Sequence, residues 1–156
     1  MDNNDIIRRI RYSFAFNDSK MIEIFGLADH QVTRAQIRDW LKRDVDPDYE
    51  EMPDKQLAIF LNGLIIDKRG KKEGPKPIPE NRLNNNIIFR KLRIALNLKD
   101  DDILKILELA DFKMSKHELS AFFRKPGQSQ YRECKDQVLR NFISGMQLKY
   151  RENKKL

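Results

Sequence analysis

Apolar residues recur at intervals of three and four along almost the whole chain and nowhere alternate with period two, so the spacing predicts helices and no strands. Ile6, Ile10 and Phe14 form one stripe of a first helix, expected to start after the Asn3-Asn4 cap and run to about Ala15. A second is expected from an Asp18 cap to Leu27-Ala28-Asp29, where an aspartate that tolerates left-handed backbone marks the stop. The third opens after Thr33, carries Trp40 and Leu41 into the core and is expected to end near Arg43. The fourth starts near Pro53, suited to a first helical position, and buries Leu57, Phe60, Leu61 and Leu64.

The same pattern returns 82 residues later. Residues 4–69 pair without a gap with 86–151, and 16 of the 66 columns are identical, against about four expected by chance. The matched stripes are Ile88, Leu92 and Leu96 in the first helix of the copy, and Leu139, Phe142, Ile143 and Met146 in the fourth. The chain therefore reads as all-α, two tandem four-helix repeats packed as an internal duplication, because a unit of fewer than 70 residues buries little core alone. Repeat 1 spans 1–69, a Pro/Gly/Lys linker 70–83, and repeat 2 84–156. Three prolines and two glycines between Gly70 and Pro79 forbid a helix and favour extended backbone.

Two local signatures recur in both copies. Thr33 with Gln36, and Ser115 with Glu118, are capping boxes that specify the start of the third helix. Gly63 and Gly145 interrupt the fourth helix at a cost of about 1 kcal/mol against alanine, which implies a close crossing by another helix. The expected crossing is the contact between the two repeats, with a crossing inside each repeat as the alternative.

Charge changes the picture only in the second half. Residues 1–70 carry −2 and residues 71–156 carry +9, out of a net +7. A basic half attracts polyanions or acidic proteins. On the third helix Arg34, Arg38 and Lys42 are spaced by four, and the copy keeps Lys116 and Arg124; together they are the candidate polyanion-binding residues, in an arrangement with a faint likeness to a helix-turn-helix. Arg8 and Arg11 recur as Arg90 and Arg93, and an intrachain carboxylate such as Asp18, Asp29, Glu51 or one of their repeats is the simplest partner.

Leu57-Ala-Ile-Phe-Leu-Asn-Gly-Leu-Ile65, ending in Lys68-Arg69-Gly70, resembles the YehS-like family of small bacterial proteins, built from two copies of a domain of unknown function. The resemblance covers nearly the whole chain and implies a bacterial, all-helical, cytosolic protein. It brings no activity, site residue or cofactor with it.

Catalytic chemistry finds little material. His30 and His117 occupy non-equivalent columns, and Cys134 lies opposite Met52, an apolar position. The single cysteine excludes an internal disulfide and, with no leader pattern at Met1–Asn4, points to a cytoplasmic location. Asp44 to Glu51 has an acidic spacing that fails the calcium-loop test, since Tyr49 and Lys55 stand where glycine and glutamate are required. No catalytic residue, cofactor or metal is expected, nor a membrane. The expected function is a non-enzymatic protein-interaction or regulatory module with a protein partner; the alternative is nucleic-acid binding through the basic third-helix face and the basic C-terminal half.

Overall fold

The structure, a computed structural model, describes the backbone of residues 1–155 and side chains through Arg151. Among these residues all regular structure is helical: α1 (Asn3–Phe14), α2 (Asp18–Leu27), α3 (Arg34–Trp40), α4 (Asp54–Arg69), α5 (Asn85–Ala95), α6 (Asp100–Leu109), α7 (Lys116–Ala121) and α8 (Asp136–Lys155). The order is that of two four-helix repeats, with residues 70–84 between them outside any helix.

Several helix ends move from their expected places. Asp2, not the Asn3-Asn4 pair, caps α1: its side chain accepts from the Asp5 amide and the Asp5 carboxylate from the Asp2 amide. Asn17 and Lys99 are the N-caps of α2 and α6, so Asp18 and Asp100 sit one residue inside, where a carboxylate still meets the positive end of the helix dipole. Pro53 is the N-cap of α4 rather than its first residue. The stops behave as expected: Asp29 and Asp111 adopt φ of 61° and 55°, and each amide reaches back to a carbonyl of the last turn. Thr33 and Ser115 form complete capping boxes.

The third helix is shorter than expected in both copies, ending at Trp40 and Ala121. Side chains intercept the backbone that would continue it. The Arg43 amide is taken by Asp46 Oδ2 at 2.7 Å and the Lys42 carbonyl by Arg8, while the Lys125 amide goes to Gln128 Oε1 at 3.0 Å.

Packing follows an approximate two-fold. Within the repeats, α2 lies across α4 and α6 across α8; between them, α1 packs on α8 and α4 on α5. The first and fourth helices of each copy therefore dock on the fourth and first of the other, and one continuous core results, with Phe25 on Phe60, Phe89 on Phe142 and Phe14 on Tyr150 at ring separations of 5.3, 4.6 and 5.1 Å. The glycine crossing lies inside each repeat, not between repeats as first expected: Gly63 abuts the backbone of Ile24 on α2, and Gly145 that of Ile106 on α6. The seams between repeats are formed instead by α1 against α8 and α4 against α5.

Candidate binding surface

The candidate polyanion residues do not form one helical stripe. Arg34 and Arg38 lie on α3, but Lys42 follows its end, and Arg124 sits in the turn after α7, beyond the helix that carries Lys116. Carboxylates already face most of them. Arg34 and Arg38 share Asp18 at 3.9 and 3.8 Å, Lys42 reaches Asp39 at 2.9 Å and Asp48 at 2.5 Å, and Lys116 stands 3.5 Å from Asp101. The two bonds from Asp48 and Asp39 raise the Lys42 ammonium to about 12 and hold Asp48 below the usual carboxylate range. Exposed pairs of this kind contribute little to stability.

Three of the four recurring arginines have partners among the described residues, and Arg90 is exposed on α5. Arg93 Nη1 meets Asp100 at 2.9 Å, with its guanidinium over the Phe123 ring, whereas Arg8 pairs with Asp5 and Arg11 donates to the Phe16 carbonyl at 3.2 Å. An asparagine clamp is the constellation that residue-type reasoning missed. Asn4, fully buried, accepts from the Met52 amide at 2.7 Å and donates to the Glu50 carbonyl at 3.0 Å; Asn86 does the same to Cys134 and Arg132 at 2.9 and 2.8 Å. Asn3 and Asn85 each donate to the carbonyl of Met52 or Cys134 and, at 2.7 Å, to Asp54 or Asp136, so two amides per repeat tie the start of the first helix to the start of the fourth.

Of the groups with reactive potential, Cys134, His30, Asp46 and Asp48 are buried or have partners, and His117 is exposed. Cys134 is buried, and desolvation pushes its thiol up to about 12, well above its ordinary 9.0. His30 packs beside the Phe25 ring, and His117 is exposed on α7. In the acidic loop, Asp46 caps a turn and Asp48 binds Lys42.

The two inter-repeat seams carry matching polar pairs and differ in what covers them. On α5, Lys91, 7% exposed, donates to Asn62 of α4 at 2.5 Å and meets Glu80 of the linker at 3.0 Å. At the equivalent column of α1, Arg9 donates to Ser144 of α8 at 2.7 Å and Gln147 at 3.4 Å. Burial lowers the Arg9 pKa, Asp5 opposes that, and Arg140 and Arg8 add to it. The linker lies over the α4 side, where Ile65, Ile66 and Ile94 share a cavity of about 250 Å³ with Lys72, Pro75 and Pro77. Among the described residues no extended segment crosses the α8 side in this way: Met1 Sδ lies 3.8 Å from Arg9 Nη1 and the Arg151 guanidinium stands 4.3 Å over the Tyr12 ring, while Leu109 and Leu148 are 50% and 44% exposed.

Residues 3–70 and 85–152 each match the family described as "Protein of unknown function (DUF1456)". The chain belongs to this family. Its two matched segments are offset by the same 82 residues as the internal identities, and they take in Asn3 and Asn85, so the asparagine clamp falls within each family unit. The chain is also 44% identical over 147 residues to the "Uncharacterized protein YehS" of Escherichia coli (strain K12), covering 94% of each chain. No solved structure matches it. Among the described residues, no helix is long and apolar enough to cross a membrane, and no group of His, Cys, Asp and Glu is arranged to hold a metal ion.

Proposed function

We propose that this DUF1456 chain is a non-enzymatic, cytoplasmic protein-interaction module whose binding surface is the α1–α6–α8 face. The supporting observation is the pair Leu109 and Leu148, both exposed, whose counterparts Leu27 and Ile66 are half-buried beside the linker on the other half. A face that one half of a duplicated molecule covers and the other leaves open is a surface available to another chain. The competing reading, nucleic-acid binding through Lys116, Arg124 and the basic C-terminal half, draws support from the +9 charge of residues 71–156. It is the weaker of the two because Asp18, Asp39, Asp48 and Asp101 already face the basic side chains around the third helices. Capture of partners from a lysate of the source bacterium, with and without nuclease and across a salt series, tests the choice. A protein interface retains its partner after nuclease and loses little with salt, whereas polyanion binding falls steeply as salt rises.

A further inference from the structure

The linker shows in detail how an extended segment sits on the fourth helix of a repeat. Lys76 Nζ donates to the Leu27 carbonyl at 2.9 Å and to Asp29 Oδ1 at 2.8 Å, at the end of α2. Pro77 and Pro79 then lie over Ala28, Ile59 and Ile66, and Glu80 reaches Lys91 on α5 at 3.0 Å. Residues 76–80 thus cross α4 from one flanking helix to the other, held by a cation at one end and a carboxylate at the other.

Each of those anchors has a counterpart around α8. Leu109 and Asp111 stand for Leu27 and Asp29, with Asp111 in the same left-handed conformation and exposed. Ser144 and Leu148 stand for Asn62 and Ile66, and Arg9 and Tyr12 for Lys91 and Ile94. The Arg9–Ser144 bond repeats the Lys91–Asn62 bond. What lacks a counterpart among the described residues is the carboxylate of Glu80: Asp5, the acid nearest Arg9, is already bound to Arg8 and to the Asp2 amide. Arg140, exposed on α8 where α4 has the buried Ala58, adds a second cation to the same groove.

Resting on the interaction reading above, we propose that the α8 groove receives an extended, proline-bearing acidic segment of a partner protein, seated as residues 76–80 are seated on α4, with its carboxylate on Arg9. Proline holds such a segment extended before it binds, which lowers the ordering cost. The floor is more polar than that of α4, with Asn141 and Gln147 replacing Ile59 and Ile65, so the occupant gains less apolar burial and binds reversibly. The linker needs no such affinity, because its attachment at both ends supplies a high effective concentration.

The test uses the full-length chain, ¹⁵N-labelled, titrated with a synthetic peptide of residues 74–81 up to millimolar concentration, and with the same peptide carrying Glu80→Gln. The proposal expects amide shifts at residues 9–12, 109–111 and 141–148, and affinity reduced at least threefold by the glutamine peptide. In Arg9→Gln protein that difference between peptides should vanish. Shifts confined to 27–29, 59–66 and 91–94 would mean that the peptide only displaces the linker, and would overturn the proposal. So would the absence of shifts, equal binding of both peptides, or a concentration-dependent dimer that uses these same residues. If the peptide fails while nuclease-resistant capture is still lost in Leu148→Glu, the interaction surface stands and the acidic extended occupant does not.

Discussion

Replacing Gly63 with alanine should destabilise the protein although alanine is the better helix former. A Cβ at position 63 would lie 2.0 Å from the Ile24 carbonyl oxygen, 2.9 Å from its carbon and 3.1 Å from Ile24 Cγ2. Since ordinary contact begins near 3.4 Å, α2 and α4 would have to part by about 1.4 Å. The obstacle is backbone in the middle of α2, so no rotamer change relieves it, and parting the helices loosens Met21, Phe25 and Phe60, all fully buried. Overpacking costs about 1 to 3 kcal/mol, and the rigid obstacle puts this site at the upper end; helix propensity returns about 1 kcal/mol, leaving a loss of about 2 kcal/mol. For a chain of this length that lowers the thermal midpoint by about 4 to 8 °C. Gly145→Ala should match it, since its Cβ would meet Ile106 O at 1.9 Å. Gly26→Ala is the control of opposite sign: nothing lies within 4 Å of its Cβ, and the copy carries Glu108 at that column, so it should gain about 0.5 to 1 kcal/mol. Urea titration with an unchanged m-value reads all three. A midpoint that rises in Gly63→Ala would refute the claim that these glycines exist for the crossing.

Asn4→Ala should cost about 2 to 4 kcal/mol in the same titration, because it strands the buried Met52 amide and leaves the Glu50 carbonyl without its donor. A loss under about 0.5 kcal/mol would show that water replaces the clamp. The raised Cys134 thiol makes native protein more resistant to alkylation than unfolded protein by roughly tenfold or more at pH 8. Because folding raises this pKa from 9.0 to about 12, the stability it contributes is complete below pH 9 and is lost as pH rises towards 12. Cys134→Ala should therefore flatten the alkaline fall of the urea midpoint, and an unchanged slope would contradict the burial argument. On a polyanion column, Lys116→Glu with Arg124→Glu, which takes the net charge from +7 to +3, should advance elution about as much as Lys71, Lys72 and Lys76→Gln, which takes it to +4. A far larger shift from the first variant would revive a specific third-helix site.

Architecture was legible in the sequence wherever a physical requirement recurred at the same column. The offset of 82, the capping boxes at Thr33 and Ser115 and the aspartate stops at Asp29 and Asp111 all stand in the structure as the residues imply. Helix ends were less legible, because a side chain distant in sequence can claim a terminal carbonyl; Arg8 on that of Lys42 is an example, and no periodicity reveals it. Gly63 signalled a crossing but not its partner, since the glycine pattern is the same whichever helix passes over it. The proposed surface was invisible for a related reason. Leu109 continues the α6 stripe three residues after buried Ile106, and no pattern in the sequence tells that the linker runs over α4 while no described segment does the same over α8.

The central claim is that the open α1–α6–α8 face, not the basic surface around the third helices, holds the partner. The most direct measurement is capture from nuclease-treated lysate of the source organism by three immobilised proteins at equal loading: wild type, Leu148→Glu, and Lys116→Glu with Arg124→Glu. Circular dichroism should confirm that all three are folded, since Leu148 is 44% exposed and tolerates a charge. The account predicts that protein bound by wild type is lost from Leu148→Glu and kept by the third-helix variant. Retention by Leu148→Glu together with loss from Lys116→Glu/Arg124→Glu would contradict it and return the function to the basic surface.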